Sequence, residues 1–120
     1  MKATLEKVYT EEAFDKMLPM ALRFHEGVEN VIRAEDLPWQ VTRLGIRIEY
    51  SFMPHAPKNG TEVDENKDSD LERLMHLMAL NRGILLTPFH NMALISPYTS
   101  KKDVDRHTEV FRESVSKLAR

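Results

Sequence analysis

The succession of hydrophobic periods predicts an α+β domain: a small antiparallel or mixed sheet with helices packed on one face. Three observations carry that expectation. A helical apolar stripe runs from Ala13 to Ala34, a two-residue alternation runs from Gly45 to Phe52, and a helix–strand–strand–helix pattern fills 70–118. The chain has 120 residues, the size of a single domain, and such a domain buries roughly two-thirds of its unfolded surface. The expected organisation is one domain over 1–120: a helical linker and long helix (1–34), strands (40–52), a surface loop (53–69) and the helix–strand–strand–helix unit (70–118).

Residues 2–9, with Leu5 and Val8 apolar, read as the end of an earlier helix. In the long helix, Phe14, Met17, Leu18, Ala21, Phe24, Val28, Val31 and Ile32 form one wide stripe. Thr10 before Glu11 and Glu12 is a suitable N-cap, with acids where the helix dipole favours them. Pro19 lies inside the stripe, and because the period continues past it a kink is expected rather than a stop. Next, Ile46, Ile48, Tyr50 and Phe52 alternate with polar residues, the mark of a strand wetted on one side. Trp39–Leu44 reads as its partner, with a bend or bulge at Leu44-Gly45.

Met53–Asp68 holds two prolines, a glycine and many charges, the composition of a long surface loop. Ser69-Asp70-Leu71-Glu72 has capping-box spacing and opens a helix with Leu71, Leu74, Met75, Met78 and Ala79 on its buried face. Arg82 and Gly83 are its stop signal. Ile84–Leu86 and Met92–Ile95 read as two buried strands around an irregular loop. Ser100-Lys101-Lys102-Asp103 starts a last helix whose inner face is Val104, His107, Phe111, Val115 and Leu118.

Composition narrows the function. There is no cysteine, which excludes thiol nucleophiles, Cys-ligated zinc and iron–sulfur clusters and fits a cytoplasmic location. A net charge of -2 argues against nucleic acid as a partner. No apolar run approaches the ~18–20 residues of a membrane span, so no membrane partner is expected, and acids occupy the N-terminal stretch where a secretion signal would be apolar.

The residues themselves hold no complete catalytic apparatus. Asp64-x-Asn66-x-Asp68 opens like a calcium loop, but Ser69 stands where the sharp turn needs glycine and Met75 where a bidentate glutamate is required. No metal site is therefore expected, and the five histidines show no HExxH spacing. His25 and His107 lie on or beside apolar helix faces, where a structural role is the default. His90, in a short loop between apolar segments, is placed for contact with a ligand, and a structural role fits it equally well; it could also do acid–base work with a nearby acid such as Glu49. Phosphate-loop, dinucleotide and nucleophile-elbow motifs are absent from the sequence.

The succession Asn81-Arg82-Gly83-Ile84-Leu85-Leu86-Thr87-Pro88, Met92-Ala93-Leu94-Ile95-Ser96 and Ser100-Lys101-Lys102-Asp103-Val104-Asp105 resembles the C-terminal small domain of class III, fold-type I aminotransferases. The glutamate-1-semialdehyde aminotransferase/aminomutase branch is the most similar. Ala3–Val8 and the helix to Val31 are similar to the family's link between large and small domains.

The resemblance implies a C-terminal piece of a pyridoxal-phosphate enzyme that lines the substrate cleft and is inactive alone. It implies no catalytic residue and no cofactor bound by this chain: the cofactor and its lysine belong to a large domain, the expected partner. It places Thr87, Pro88, Phe89, His90, Asn91 and Met92 in a substrate-cleft loop. Some relatives carry a carboxylate-binding arginine where Thr87 stands; threonine lacks the bidentate fork, and Arg43, Arg47 and Arg82 are the candidate substitutes. The alternative reading is a free-standing, non-catalytic α+β binding or dimerisation module. A homo-oligomer is expected if the apolar surface is left uncovered.

Overall fold

The computed structural model describes residues 1–87 and 90–118. A short helix α1 (Lys2–Lys7) leads into the long α2 (Glu11–Ala34). Strands β1 (Gln40–Leu44) and β2 (Arg47–Ser51) follow, then helices α3 (Gly60–Glu65) and α4 (Ser69–Leu80), strand β3 (Met92–Leu94) and the final helix α5 (Lys101–Leu118). The sheet is antiparallel throughout, in the order β1-β2-β3, with Leu44 opposite Arg47 and Ile48 opposite Ala93. The α+β class is as the periodicities predict.

Local chemistry explains the element ends. Thr10 caps α2 by accepting a hydrogen bond from the Ala13 N–H (3.2 Å), and the helix runs on through Pro19. Beyond its end Asp36 takes a positive φ of 48°, and the Leu37 N–H closes back onto the Ile32 carbonyl at 3.0 Å. The β1–β2 connection is a two-residue turn of Gly45 and Ile46. Gly45 at φ +59° supplies the positive φ that a tight hairpin needs, so the expected bend or bulge is a hairpin turn. Gly83 (φ +79°) ends α4 in a Schellman motif: the Gly83 N–H reaches Leu80 and the Ile84 N–H reaches Ala79, both at 3.0 Å. Ser100 and Asp103 form a reciprocal capping box at the start of α5.

Four local expectations are corrected. The N-cap of α4 is Asp68, whose carboxylate accepts from the Leu71 N–H at 2.9 Å, so Ser69 is the first helical residue. The loop expected over 53–69 contains α3, capped by the Asn59 side chain on the Glu62 N–H. Ile84–Leu86 is not a strand: the Schellman bond commits the Ile84 N–H to α4, and Leu85 points to solvent at 81% exposure. On α4 only Met75 and Ala79 are fully buried, and Leu74 is exposed.

The core lies between the inner face of the sheet and the helices. Met17, Ala21, Phe24, Val28 and Val31 of α2 meet Ile48 and Tyr50 of β2 and Val104, Phe111 and Val115 of α5. Aromatic rings bind the layers: Tyr50 meets Phe111 edge-on at 5.0 Å, and Trp39 lies 4.7 Å from Phe52. The α2–α5 crossing is close at Gly27, where an added Cβ would stand 2.4 Å from Thr108 Oγ1. His107, read as a structural residue on the inner face of the last helix, is a core residue at 6% exposure. Its ring sits 4.2 Å from that of Phe24, and burial pushes its pKa down to about 4.

Two outcomes follow. Gly27→Ala should destabilise by about 1–2 kcal/mol, overpacking outweighing alanine's helix preference. Gly27→Ala combined with Thr108→Ala should recover most of that loss in urea denaturation. His107 is neutral when folded and titrates near its ordinary value when unfolded, so the unfolded chain takes up the proton first as pH falls. Stability should therefore drop between pH 6.5 and 4, on the order of 3 kcal/mol across the window. In His107→Leu that dependence should shrink by the same amount, read from denaturation midpoints at each pH.

Candidate functional site

The register of β2 sorts its side chains. Ile48 and Tyr50 face the core, while Arg47, Glu49 and Ser51 face outward. The segment after β2, with α3, folds over the end of the sheet and encloses a cleft of about 300 Å³ with those outward residues. Its lining includes the polar Thr42, Arg47, Glu49 and His90, the apolar Phe52, Met53 and Val63, and also Tyr50, Glu72 and Asn91.

Of the predicted loop, Pro88 and Phe89 lie outside the described residues. His90 is exposed and hydrogen-bonded through its N–H to the Thr87 carbonyl (3.3 Å), and its Nδ1 stands 3.4 Å from Glu49 Oε1. The other Glu49 oxygen accepts from Arg47 Nη2 at 2.7 Å. The sequence pairing of His90 with Glu49 is therefore real in space, and Arg47 clamps the carboxylate. Asn91 is buried at 7% exposure and lines the cleft with His90. Thr87 and Met92 are half-buried and do not line it.

The three candidate arginines separate clearly. Arg43 donates to the Gly45 carbonyl at the hairpin turn (2.9 Å). Arg82 donates to Met78 O (2.9 Å) and Glu113 (3.1 Å), tying α4 to α5. Of the three, Arg47 alone lines the cleft. In the calcium-like stretch, Asp64 lies within α3, the Asn66 side-chain amide donates to the Glu62 carbonyl at the end of that helix, and the Asp68 carboxylate is spent on the α4 cap. Among the described residues, no three His, Cys, Asp or Glu side chains gather as a metal would need.

Tyr50 and Glu72 are among the cleft-lining residues that sequence reasoning did not single out. Tyr50 reads as one more apolar position of an alternating strand, and Glu72 as a capping residue. The Tyr50 hydroxyl is buried with no hydrogen-bond partner among the described residues, and so is Asn91 Oδ1. Burial, aided by the charge of Glu72, raises the Tyr50 pKa far above its ordinary value and keeps it a neutral phenol. An unpartnered buried hydroxyl costs free energy, so Tyr50→Phe should leave thermal stability unchanged or raise it by up to about 1 kcal/mol, measured by calorimetry. A drop of more than 1 kcal/mol would mean that the hydroxyl is bonded.

No protein-family model matches the chain. Solved structures do. A glutamate-1-semialdehyde aminomutase from Pseudomonas aeruginosa PAO1, also solved in complex with PMP, is 45% identical over 98% of this chain, with a TM-score of 0.95. A β-phenylalanine aminotransferase from Variovorax paradoxus shares the fold at 20% identity, 96% coverage and a TM-score of 0.84. An ω-transaminase from Sphaerobacter thermophilus shares it at 22%, 89% and 0.71. The chain spans only 26%, 26% and 24% of the lengths of these three relatives. The chain thus belongs to the fold-type I, class III pyridoxal-phosphate aminotransferase and aminomutase superfamily, and corresponds to a segment about a quarter as long as those larger enzymes.

Proposed function

We propose that this chain is the C-terminal small domain of a pyridoxal-phosphate-dependent aminotransferase-type enzyme of the glutamate-1-semialdehyde aminomutase kind, and that it is catalytically incomplete alone. The observation that carries this reading is the mismatch in coverage: 98% of this chain aligns at 45% identity with only 26% of the Pseudomonas protein.

The chain's own residues do not fit the cofactor. A lysine that attacks a carbonyl works as the free amine, which enzymes obtain by desolvation or a neighbouring cation. All eight lysines here are exposed. None is desolvated by burial, the condition that favours the free amine.

Surface chemistry supports a partner that supplies the missing part. Leu5 of α1 is 60% exposed, and α1 rests on no other element among the described residues. Leu18 and Leu22 form a second, outward stripe on α2, and Leu77 and Leu80 another on α4. The radius of gyration is 15.0 Å, against about 14 Å expected for a compact domain of this length. A large cofactor-binding domain covering these faces would bury them. In that arrangement Thr87–Met92 forms part of a substrate-cleft wall, with His90 and Asn91 contributed through the cleft at the sheet end. A cytoplasmic setting fits the cysteine-free composition.

The test is to incubate the chain with pyridoxal phosphate, reduce with borohydride and weigh the product by mass spectrometry. We expect only substoichiometric adducts scattered over surface lysines, and no amino transfer. A stoichiometric adduct at one lysine, or turnover of an amino acid by the chain alone, overturns the reading.

A further inference from the structure

Asn59-Gly60 is the one asparagine–glycine pair in the sequence; the other asparagines precede Val31, Lys67, Arg82 and Met92. An asparagine side chain that bends back onto the next backbone nitrogen must pass that residue's Cβ, and glycine has none. Both residues are exposed, and a Cβ built on Gly60 would meet nothing within 4 Å. Gly60 is the first residue of α3, so no helix carbonyl lies four residues behind it to hold its nitrogen.

A lock opposes that bend in the folded helix. Asn59 Oδ1 accepts from the Glu62 N–H at 3.0 Å, and Glu62 Oε2 accepts from the Lys58 N–H at 2.7 Å. This cap turns the Asn59 side chain toward Glu62 instead of back onto the Gly60 nitrogen. Yet α3 has six residues, none of them buried, and it packs closely against no other helix or strand among the described residues. A helix this short, without a buried anchor, opens often. Exposure, an open glycine and a helix held chiefly by its cap converge on one pair of residues.

We propose that Asn59-Gly60 is a site of spontaneous backbone rearrangement, gated by opening of the α3 cap. The Gly60 nitrogen loses its proton to solvent base and attacks Asn59 Cγ. The N–Cγ bond forms, the Cγ–Nδ2 bond breaks, and Nδ2 leaves as ammonia with a proton from solvent. One water then opens the five-membered succinimide at either of its two carbonyls. Opening at the side-chain carbonyl gives an ordinary aspartate. Opening at the main-chain carbonyl gives isoaspartate, with the chain continuing through the side chain. Nothing is oxidised or reduced.

The two products act oppositely on α3. An ordinary carboxylate accepts from the Glu62 N–H as the amide did, and it suits a helix N-terminus. Isoaspartate inserts a methylene into the backbone, so the cap is lost and α3, which carries Val63 of the cleft lining, is released. The inference is independent of the domain reading above: it rests on residues of this chain alone and is read without cofactor.

The test is to age the 120-residue chain in mildly alkaline buffer, cleave it after Lys58 and Lys67 at acidic pH, and weigh the 59–67 peptide by mass spectrometry. That peptide holds Asn66 as an internal control, and electron-transfer fragmentation separates isoaspartate from aspartate. Asn59 should convert roughly tenfold faster than Asn66, and Gly60→Ala should slow it by about the same factor. Glu62→Ala, which weakens the lock and leaves the Asn-Gly pair intact, should speed conversion about threefold. In ¹H–¹⁵N spectra the Glu62 backbone amide should move to its unfolded position in the isoaspartyl chain and stay in place in Asn59→Asp. Four results would each overturn the proposal: conversion of Asn59 no faster than Asn66, an unchanged rate in Gly60→Ala, no acceleration in Glu62→Ala, or a native Glu62 amide in the isoaspartyl chain.

Discussion

The stacking of β2 against α2 and α5 is the constraint on which the rest of the molecule depends. Ile48 and Tyr50 are nearly sealed from solvent between Val28 and Val31 on one helix and Phe111 and Val115 on the other. Strand side chains alternate strictly, so burying these two residues forces Arg47, Glu49 and Ser51 to the opposite face. A one-residue slip would exchange the two sets. The cleft at the sheet end is thus a consequence of core packing: the hydrophobic demand of the even positions sets where the polar residues stand.

The domain's polar interior has two different solutions. His107 sits among Phe24 and Phe111 and remains neutral, its ring used as an aromatic surface. Tyr50 and Asn91 are also deeply buried, yet their unpartnered oxygens belong to residues that border a cavity. The first arrangement serves packing alone. The second leaves two polar atoms unpartnered where an apolar isostere would pack as well.

The outer surface points the same way as the length comparison. Apolar side chains on α1, α2 and α4 lie exposed, and α1 packs on no other element among the described residues. Isolated exposed leucines are ordinary on any protein, whereas exposed apolar rows such as Leu18 and Leu22 on α2 and Leu77 and Leu80 on α4 fit the proposed docking against a larger domain. A small sheet with helices on one side has enough core to fold, since the α2–α5 pair closes one layer and the hairpin the other. It does not have enough surface polarity to account for every helix face, which is what a domain docked within a larger enzyme would show.

Much of this was legible in the residues themselves. The α2 stripe, the alternation through β2, the stop at Gly83 and the S-x-x-D start of α5 are local devices, each written within a few consecutive positions, so the α+β class and these four elements follow without coordinates. His90 and Glu49 could be named together as acid and base. Only the tertiary structure could set their 3.4 Å separation, because it depends on pairing β2 with β3 across the long segment between them. For the same reason Ile84–Leu86 misled: apolar runs of that length suit a strand, and whether they find a ladder partner is a non-local matter that the helix stop decided first. Tyr50 shows the deeper limit. Periodicity reports that its ring goes inward, but whether its hydroxyl finds a partner there depends on atoms from α4 and β3, distant in the chain and brought together only by folding.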